Sequence, residues 1–408
     1  MKDGNIIMLC QQGWDLGIAS NAKNLAKELA KDNRVLYVNL PLDVNTVLRG
    51  RKEPAVQTRL RVLLGQKESL VQAEPNLWVL TPRMLSISIN RLQPGRAFDT
   101  LNGWNSRLLA RSIRQATDAL RFKDAMLLQD GIIFQGLDLP RLLQLSRSVY
   151  YLRDYTLGVP YFQRHGPRAE TQLMQQADLV ATNSAYLADY ARQHTTRAHD
   201  IGQGCVLTMY DADADYSCPA GLAPVKQPRI VYTGFLTALR LDIELLLTIA
   251  RQRPQWNLVL IGPEDEEFKG SELHQLPNVH FLGGKRPEEL AAYLRHSNIC
   301  INPQVVNDAT VGNYPLKIDE YLAMGKPVVA THTRTMDLFA DHVYLAKGQA
   351  QWLELLDEAL MHAGPSTADA RIAFARSHTW AASVQTLYQA LDSLPTASSV
   401  PVVGSQTA

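Results

Sequence analysis

The sequence has 408 residues, which is enough for two or three domains of ordinary size. Hydrophobic residues make up 46% of it and charged residues 20%, so the composition excludes a disordered chain, a collagen-like fibre and a coiled coil. The net charge of +1 hides an asymmetry, because residues 1–205 carry 26 Lys and Arg against 18 Asp and Glu, whereas the remainder carries 15 against 22. Residues 49–121 alone hold 13 basic and 5 acidic residues, so the positive excess is concentrated there.

The cysteines and the amino terminus indicate the compartment. Cys10, Cys205, Cys218 and Cys300 are far apart and show no CxxC spacing, which favours neither a zinc site nor a disulfide framework. The apolar run at the amino terminus is too short for a signal-peptide core, and no stretch has the length of a membrane-spanning helix. We therefore expect a cytoplasmic protein.

In the first half of the chain, short apolar runs alternate with stretches of helical period. The runs NIIML and RVLYVNL flank the amphipathic segment IASNAKNLAKELA, which predicts a βαβ unit. The pattern continues through DAMLLQ, SVYYL and DLVATN, each followed by a predicted helix. Continuous apolar strands of this kind are typical of a parallel sheet covered on both faces. We predict a doubly wound, Rossmann-like domain over residues 1–205.

A second alternating series begins after a connection with few strand or helix signals, between about Gly202 and Pro228. The predicted strands are RIVYTG, WNLVLIG, NVHFLG, NICINP and KPVVAT, and predicted helices separate them. We predict a second Rossmann-like domain over residues 206–378, a carboxyl-terminal helix over 379–394 and a disordered tail over 395–408. Open parallel sheets bind ligands beyond the carboxyl ends of their strands, so two such domains predict a binding cleft.

The segment NYPLKIDEYLAMGKPVV contains the strongest candidates for ligand-binding residues. Pro315 suits the first turn of a helix and Gly325 its carboxyl cap. At about 100° per residue, Asn313, Lys317 and Glu320 fall on one polar face. The helix amino terminus and the Lys317 ammonium would attract a phosphate group, and Glu320 would accept hydrogen bonds from ribose hydroxyls. An exposed ion pair between Lys317 and Glu320 is the alternative interpretation.

The same segment, read as PLKIDEYLAMGKPVVAT, resembles the nucleotide-binding signature of GT-B glycosyltransferases of the bacterial exopolysaccharide and teichuronic-acid biosynthesis type. The stretch VYTGFLTALRLDIELLLTIA is similar to the first strand and helix of the family's donor domain, and WNLVLIGP to its second strand. The stretch ARSHTWAASVQTLYQAL is similar to the family's carboxyl-terminal helix. The resemblance implies an α/β GT-B fold in which two Rossmann-like, doubly wound domains face a cleft.

The resemblance also implies the donor site. The second domain would hold a nucleotide-diphosphate sugar, most often a UDP sugar, with Glu320 on the ribose and Lys317 on the diphosphate. Arg240 lies six residues after Gly234, where many members have a lysine on the diphosphate, and its guanidinium suits phosphate oxygens. The loop before the helix adds Asn313 and Tyr314. No cofactor beyond this substrate and no metal are implied, because helix dipoles and cations neutralise the leaving diphosphate.

Two residues differ from the pattern of retaining members. Phe235 stands where many of them have an arginine, and Gly312 stands where they have a glutamate. The stereochemical outcome is therefore left open. Two alternative functions remain: a nucleotide-sugar epimerase or phosphorylase on the same fold, and a catalytically silent scaffold that binds a nucleotide sugar.

The first domain supplies the catalytic candidates. Asp154 follows the strand SVYYL, where its carboxylate would deprotonate an acceptor hydroxyl, and Asp15 and Asp130 also lie at strand ends. Each of these aspartates has a turn or cap role as its alternative. Gly13 and Gly17 would let the backbone approach an acceptor sugar closely.

Two acidic strings invite a metal-site interpretation. In the first, Asp211, Asp213 and Asp215 alternate, but Tyr216 and Leu222 stand where an EF-hand loop needs glycine and glutamate. The second runs over residues 264–267. We expect both to be solvated loops.

The basic segment suggests a partner surface. Its cations alternate with leucine, valine and tryptophan side chains; they include Arg49, Arg51, Lys52, Arg59, Arg61, Arg107, Arg111 and Arg114. This pattern is typical of segments that dock on anionic membranes, and an ordinary solvated helix face is the alternative. We expect a carbohydrate or lipid-linked acceptor, with the inner face of the plasma membrane as a second location. No motif for nucleic-acid binding is present.

Overall fold

The computed structural model describes residues 2–16, 20–307 and 310–395. The chain divides into two compact units. The amino-terminal unit contains the residues up to Gly202 together with those from Ser383 onwards, and the carboxyl-terminal unit contains Gln203–Ala382. These divisions fall close to the predicted domain boundaries at residues 205 and 378. Apart from residue 395, the predicted tail lies outside the described residues.

The amino-terminal unit alternates strands with helices along most of its length. Its strands are β1 (Asn5–Cys10), β2 (Arg34–Asn39), β3 (Leu42–Asp43), β4 (Leu70–Glu74), β5 (Leu77–Leu80), β6 (Leu85–Ser86), β7 (Met126–Asp130), β8 (Arg147–Leu152), β9 (Leu179–Thr182) and β10 (Ala198–Asp200). Its helices are α1 (Asn21–Leu29), α2 (Val44–Gly50), α3 (Pro54–Leu63), α4 (Arg96–Ala119), α5 (Leu139–Leu143), α6 (Pro160–Gln163), α7 (Gly166–Gln176) and α8 (Ala185–Arg192).

The main sheet of this unit has the strand order β10-β9-β8-β7-β1-β2-β5-β4. Neighbouring strands are parallel except β4 and β5, which are antiparallel, and β3 pairs with β6 in a separate parallel pair. The central strands β1, β2 and β7 are buried along almost their whole length, as their continuous apolar sequences predict. The strand order reverses between β1 and β7, which makes their carboxyl ends a binding position.

The carboxyl-terminal unit is built in the same way. Its strands are β11 (Arg229–Thr233), β12 (Asn257–Ile261), β13 (Val279–Phe281), β14 (Ile299–Asn302), β15 (Val328–Thr331) and β16 (Tyr344–Ala346). Its helices are α9 (Ile243–Gln252), α10 (Glu266–Lys269), α11 (Pro287–Arg295), α12 (Leu316–Ala323), α13 (Gln349–His362) and α14 (Ala368–Ser377). The sheet is parallel throughout, in the order β13-β12-β11-β14-β15-β16, and the order reverses between β11 and β14. Both units are therefore Rossmann-like.

The last helix, α15 (Trp380–Asp392), begins in the carboxyl-terminal unit and continues into the amino-terminal one. Within the amino-terminal unit, the Asn33 side-chain amide donates a hydrogen bond to the Tyr388 hydroxyl at 2.7 Å. Farther along, the Arg147 guanidinium donates to the Pro395 carbonyl at 2.9 Å. These contacts attach the end of the described chain to the first unit.

Helix α12 differs from the prediction at its amino end. The helix begins at Leu316, with Pro315 as the capping residue, so Asn313 lies in the preceding loop. The predicted helical face shared by Asn313, Lys317 and Glu320 is therefore wrong for Asn313. Proline disfavours helical geometry in the residue before it, which stops the helix from extending back to Asn313. At the other end, Gly325 adopts φ +66°, the left-handed conformation expected after a helix.

Candidate functional site

The candidate site lies in the carboxyl-terminal unit, at the point where the strand order reverses. Strand β11 ends at Thr233, and helix α12 lies between β14 and β15. The buried Tyr321 hydroxyl of α12 accepts a hydrogen bond from the Thr233 backbone N–H at 2.9 Å. This bond fixes α12 against the end of β11, so residues of the helix and of the loop after β11 form one site.

Glycine is required in the loop that follows β11. Gly234 has φ +130°, and a Cβ atom at this position would lie 2.9 Å from the Lys317 Nζ atom. Gly262 follows the adjacent strand β12, and a Cβ atom there would lie 1.8 Å from the Gly234 carbonyl oxygen. The loops after β11 and β12 can therefore approach each other only because Gly262 has no side chain, and the positive φ of Gly234 favours glycine beside the lysine.

Lys317 is the cation of the site. Its ammonium donates a hydrogen bond to the Tyr232 hydroxyl and lies 3.8 Å from the centre of the Tyr232 ring. Desolvation lowers the pKa of Lys317 to about 7; the positive charge of Arg240 contributes to the decrease and the Glu320 carboxylate opposes it. Because the hydrogen-bond partner is a neutral hydroxyl, the ammonium can still neutralise an anionic ligand.

Glu320 follows Lys317 by three residues on the same helix. Desolvation raises the pKa of the Glu320 carboxyl, while a hydrogen bond from the Tyr210 hydroxyl and the charge of Lys317 oppose the rise. Tyr210 is buried, and it comes from the segment predicted to be the interdomain connection. The carboxylate thus accepts a hydrogen bond from a hydroxyl group, which is the kind of bond that a ribose would offer.

The other predicted donor-site residues surround this pair in different ways. Arg240 is exposed in the loop between β11 and α9, near enough to Lys317 to affect its pKa. The Asn313 backbone N–H donates to the Thr310 carbonyl at 3.1 Å. The Tyr314 hydroxyl donates to Asp319 at 2.8 Å. The donor-binding roles of all three residues stay predictions.

A buried polar cluster supports α12 from the opposite side. Asp319, which has no exposed surface, accepts hydrogen bonds from the Tyr314 hydroxyl, from His378 Nδ1 at 2.7 Å and from the Cys205 thiol at 3.2 Å. Burial and the Asp319 carboxylate raise the pKa of the Cys205 thiol. The cluster fixes the residue next to Glu320, and the sequence analysis missed it because its members are distant along the chain.

In the amino-terminal unit, two candidate carboxylates share one arginine. Asp130, the last residue of β7, is fully buried, and its carboxylate accepts from Arg153 Nε at 2.6 Å. The Nη1 atom of Arg153 also lies 2.6 Å from the half-exposed carboxylate of Asp154. The charge of Asp130 raises the pKa of the Arg153 guanidinium. Asp154 is thus the more accessible candidate base, and both catalytic roles stay predictions.

The third candidate carboxylate is also paired. Asp15 accepts two hydrogen bonds from Arg59, at 2.9 and 2.7 Å. Partial burial raises the pKa of Asp15, but these bonds and the charge of Arg59 outweigh it and hold the pKa below its usual value. A Cβ atom on Gly13 would lie 2.0 Å from Arg59 Nη2, so this glycine accommodates the ion pair. Gly17 lies outside the described residues.

In the part of the chain that the structure describes, no three His, Cys, Asp or Glu side chains are grouped closely enough to hold a metal ion. The Asp213 backbone N–H donates to Asp211 at 3.1 Å, and Glu264 pairs with His274 at 2.8 Å. Likewise, none of the described helices combines the length and apolar composition that a membrane crossing requires.

The chain is similar to known proteins in sequence. Residues 227–356 match the family described as glycosyl transferases group 1. The Bacillus subtilis (strain 168) protein TuaH, which is named as a teichuronic acid biosynthesis glycosyltransferase, is 29% identical over 173 residues. That alignment covers 40% of this chain and spans 43% of TuaH.

Solved structures match over nearly the whole chain. Anabaena HepE, solved in complex with UDP, matches with a TM-score of 0.66 and 18% identity, over 96% of this chain and 100% of HepE. Sucrose-phosphate synthase from Thermosynechococcus elongatus matches with a TM-score of 0.65 and 17% identity, over 95% and 99%. The predicted α/β fold with two Rossmann-like sheets is confirmed. The chain has the GT-B fold, and residues 227–356 within it form a glycosyl transferases group 1 domain.

Proposed function

We propose that this protein is a glycosyltransferase that moves a sugar from a nucleotide-diphosphate sugar to a hydroxyl group of a polysaccharide or lipid-linked acceptor. The observation that carries the proposal is the pair of Lys317 and Glu320 on α12, where the strand order reverses in the glycosyl transferases group 1 domain. Both side chains have pKa values shifted by desolvation, which is common at ligand sites.

The nucleotide is proposed to be uridine diphosphate. HepE was solved with UDP, and an Escherichia coli trehalose-6-phosphate protein was solved with UDP-2-fluoro glucose; this second structure matches with a TM-score of 0.63 and 12% identity, over 96% of this chain and 99% of that one. In this chain, Lys317 and Arg240 would bind the diphosphate and Glu320 the ribose. Asn313, Tyr314 and the Gly234 backbone would complete the donor site.

The transfer would break the bond between the sugar and the diphosphate and form a bond to the acceptor oxygen. The acceptor proton would pass to Asp154, with Asp15 and Asp130 as the other candidates. Negative charge develops on the leaving diphosphate, and Lys317, Arg240 and the amino end of α12 would stabilise it without a metal ion. The reaction would need no cofactor.

Other functions on the same fold receive less support. The family match and TuaH are both described as glycosyltransferases, which favours this activity over an epimerase, a phosphorylase or a silent scaffold. A role in polysaccharide biosynthesis is proposed from the teichuronic acid named for TuaH.

Calorimetry with UDP tests the donor site. Glu320→Ala should weaken UDP binding by roughly tenfold to a hundredfold, since a hydrogen bond to a charged group contributes about 1.5 to 3 kcal/mol. Glu354→Ala, which removes an exposed glutamate from α13, is the matched control and should bind UDP normally. Equal UDP affinity of both variants would exclude Glu320 from the site, and loss of transferase activity in EDTA would contradict metal independence.

We also propose that the protein works in the cytoplasm and docks at the anionic inner face of the plasma membrane, where lipid-linked acceptors are presented. Leu48 and Leu64 are 75% and 68% exposed, and Arg49, Arg51, Lys52 and Arg61 are exposed between them. Arg59 is not part of this surface, because it pairs with Asp15. On α4, Arg107 and Arg111 are exposed beside Trp104, which is 42% exposed.

Co-sedimentation with vesicles tests the docking. Binding should require anionic lipid and should weaken as salt is raised, because the Debye length falls from about 30 Å at 0.01 M to about 8 Å at 0.15 M ionic strength. Leu48→Ser/Leu64→Ser should reduce binding at every salt concentration. A protein that stays in the supernatant with anionic vesicles at low salt would contradict the membrane location and favour a soluble acceptor.

A further inference from the structure

Glu170 on α7 is a buried acid that the mechanism described so far does not use. It has no exposed surface. Its Oε1 atom accepts hydrogen bonds from the Tyr150 hydroxyl at 2.8 Å and from the Thr156 hydroxyl at 3.1 Å, and its Oε2 atom accepts from the Tyr190 hydroxyl at 2.9 Å. The carboxyl group thus joins α7 to β8, to the short 3-10 turn Thr156–Gly158 and to α8.

This carboxyl group is held by hydroxyl groups rather than by a countercharge. No Lys or Arg of the described residues forms an ion pair with Glu170. Desolvation raises the pKa of Glu170, and the three hydroxyl hydrogen bonds oppose the rise. Burial of an acid is costly, and apolar side chains of similar volume often replace buried charged groups without loss of stability. The particular bonds that Glu170 makes are therefore the feature to explain.

One of these bonds leads to the backbone of the candidate base. Thr156 is buried, and its N–H donates a hydrogen bond to the Asp154 carbonyl at 2.9 Å. The Thr156 carbonyl accepts from the Val159 N–H at 3.0 Å, which closes the 3-10 turn. Because Glu170 binds the Thr156 hydroxyl, it restrains the stretch of backbone that carries Asp154.

The Asp154 side chain has a second restraint. The Arg153 Nη1 atom lies 2.6 Å from the Asp154 carboxylate, while Arg153 Nε is bound to the buried Asp130. Arg153 therefore restrains the carboxylate of Asp154, and Glu170 restrains its backbone through Thr156. A base that is held in this way from two sides is placed before its substrate arrives, as efficient proton transfer requires.

We propose that Glu170 and Thr156 are positioning residues, which hold the turn after β8 so that Asp154 can accept the acceptor proton. The inference rests on the proposed transferase function, and within it on Asp154 as the base. It assigns Glu170 and Thr156 no contact with the substrate. Their effect would come through geometry, since a misplacement of about 1 Å can lower a reaction rate by about a hundredfold.

Thr156 provides the cleanest test. Glu170→Ala would leave three hydroxyl groups without their acceptor and is expected to unfold the protein. Thr156→Val keeps the side-chain shape and removes only the bond to Glu170. It should lower kcat by about tenfold or more, with the KM for the donor and the UDP affinity unchanged. Thr156→Ser keeps the hydroxyl and should retain most of the wild-type kcat. Turnover is measured as UDP release from UDP-glucose, with octyl glucoside as the acceptor.

Tyr190→Phe is the matched control. It removes a different hydroxyl bond to the same carboxylate and keeps the aromatic ring, whose centroid lies 5.3 Å from that of Tyr155. Urea denaturation should show similar losses of stability for Tyr190→Phe and Thr156→Val, but Tyr190→Phe should keep the wild-type kcat. Crystal structures give a readout without activity: the bond between the residue 156 N–H and the Asp154 carbonyl should be lost in Thr156→Val and kept in Tyr190→Phe.

Three results would each overturn the proposal: wild-type kcat in Thr156→Val, equal losses of kcat in Thr156→Val and Tyr190→Phe, or an unmoved Asp154 turn in the Thr156→Val crystal structure. Near-normal turnover of Asp154→Asn would overturn it as well, because the turn would then carry no catalytic group. A wild-type protein that binds UDP but transfers no sugar would instead contradict the proposed function, and the crystal structures would still decide whether Thr156 and Glu170 place Asp154.

Discussion

The charged candidate residues of the two units differ in the kind of group that they contact. In the amino-terminal unit, the candidate carboxylates are bound to arginines: Asp15 to Arg59, and both Asp130 and Asp154 to Arg153. In the carboxyl-terminal unit, Lys317 bonds to the hydroxyl of Tyr232 and Glu320 to that of Tyr210, and among the described residues neither forms an ion pair. A buried charge that already has its countercharge is costly to separate from it, whereas perturbed pKa values of desolvated groups without a countercharge are common at ligand sites.

This comparison predicts the largest loss of stability when the buried ion pair of Asp130 and Arg153 is broken. Asp130→Ala would remove the buried partner of the Arg153 guanidinium, which is 17% exposed, and leave only the half-exposed Asp154 to pair with it. We expect a loss of about 3 kcal/mol or more in the free energy of unfolding, measured by urea denaturation. Asp99→Ala breaks an exposed pair with Arg168 and should cost at most about 1 kcal/mol. Similar losses for the two variants would show that Asp130 is not a structural residue of this kind.

Asp154 tests whether a paired carboxylate can also serve catalysis. Asp154→Asn should lower turnover by about a hundredfold or more if this residue accepts the acceptor proton, and donor binding should stay unchanged. Steady-state kinetics and UDP calorimetry measure the two effects. Asp138→Asn, which alters a partly exposed aspartate paired with Arg141, is the matched control. Near-normal turnover of Asp154→Asn would make Asp15 the next candidate.

Lys317 predicts a pH effect on donor binding. Its pKa of about 7 means that the ammonium loses its proton as the pH rises above 7, so UDP affinity should fall. Between pH 7 and 9 the expected decrease is about tenfold, the contribution of one bond between charged groups. The phosphate groups of UDP change little in this range, because the second pKa of a phosphate monoester is about 6.

The neutral variant Lys317→Met gives the reference for this effect. Its UDP affinity should be low at pH 7 and should not decrease further at pH 9. Lys347→Met removes an exposed lysine far along the chain and should keep the wild-type pH dependence. A decrease of the same size in Lys317→Met and in the wild type would mean that another group causes it.

The features of the fold and the site that depend on local spacing could be predicted from the sequence alone. The parallel sheets follow from the alternation of strands and helices, and Lys317 and Glu320 lie on one helix, α12, which Gly325 follows in the left-handed conformation. These features depend on short-range patterns of apolar residues, proline and glycine, which one sequence displays directly.

The contacts between distant residues could not be predicted in this way. Arg59 was expected on a membrane surface but bonds to Asp15, and the partners of Asp319 come from positions 205, 314 and 378. Charge pairing of this kind depends on which side chains the fold brings together, and spacing along the chain carries no record of it. Asn313 was misplaced for a local reason, the proline at 315.

Tyr210 is predicted to have the smallest effect, and it tests whether Glu320 is prepared for its ligand. The Tyr210 hydroxyl holds down the pKa of Glu320, which desolvation raises. Tyr210→Phe should therefore raise that pKa further, so that the carboxylate is protonated at a higher pH and accepts ribose hydrogen bonds less well.

Because one neutral hydrogen bond contributes about 0.5 to 1.5 kcal/mol, UDP affinity should fall by a factor of about 2 to 10 at pH 5.5. As the pH is raised toward 8, the affinity should move toward that of the wild type, since the ionised fraction of both carboxylates increases with pH. Tyr216→Phe, in the same segment, is the control and should match the wild type at both pH values. A loss for Tyr210→Phe that is equal at pH 5.5 and pH 8 would mean that the hydroxyl positions Glu320 without affecting its protonation.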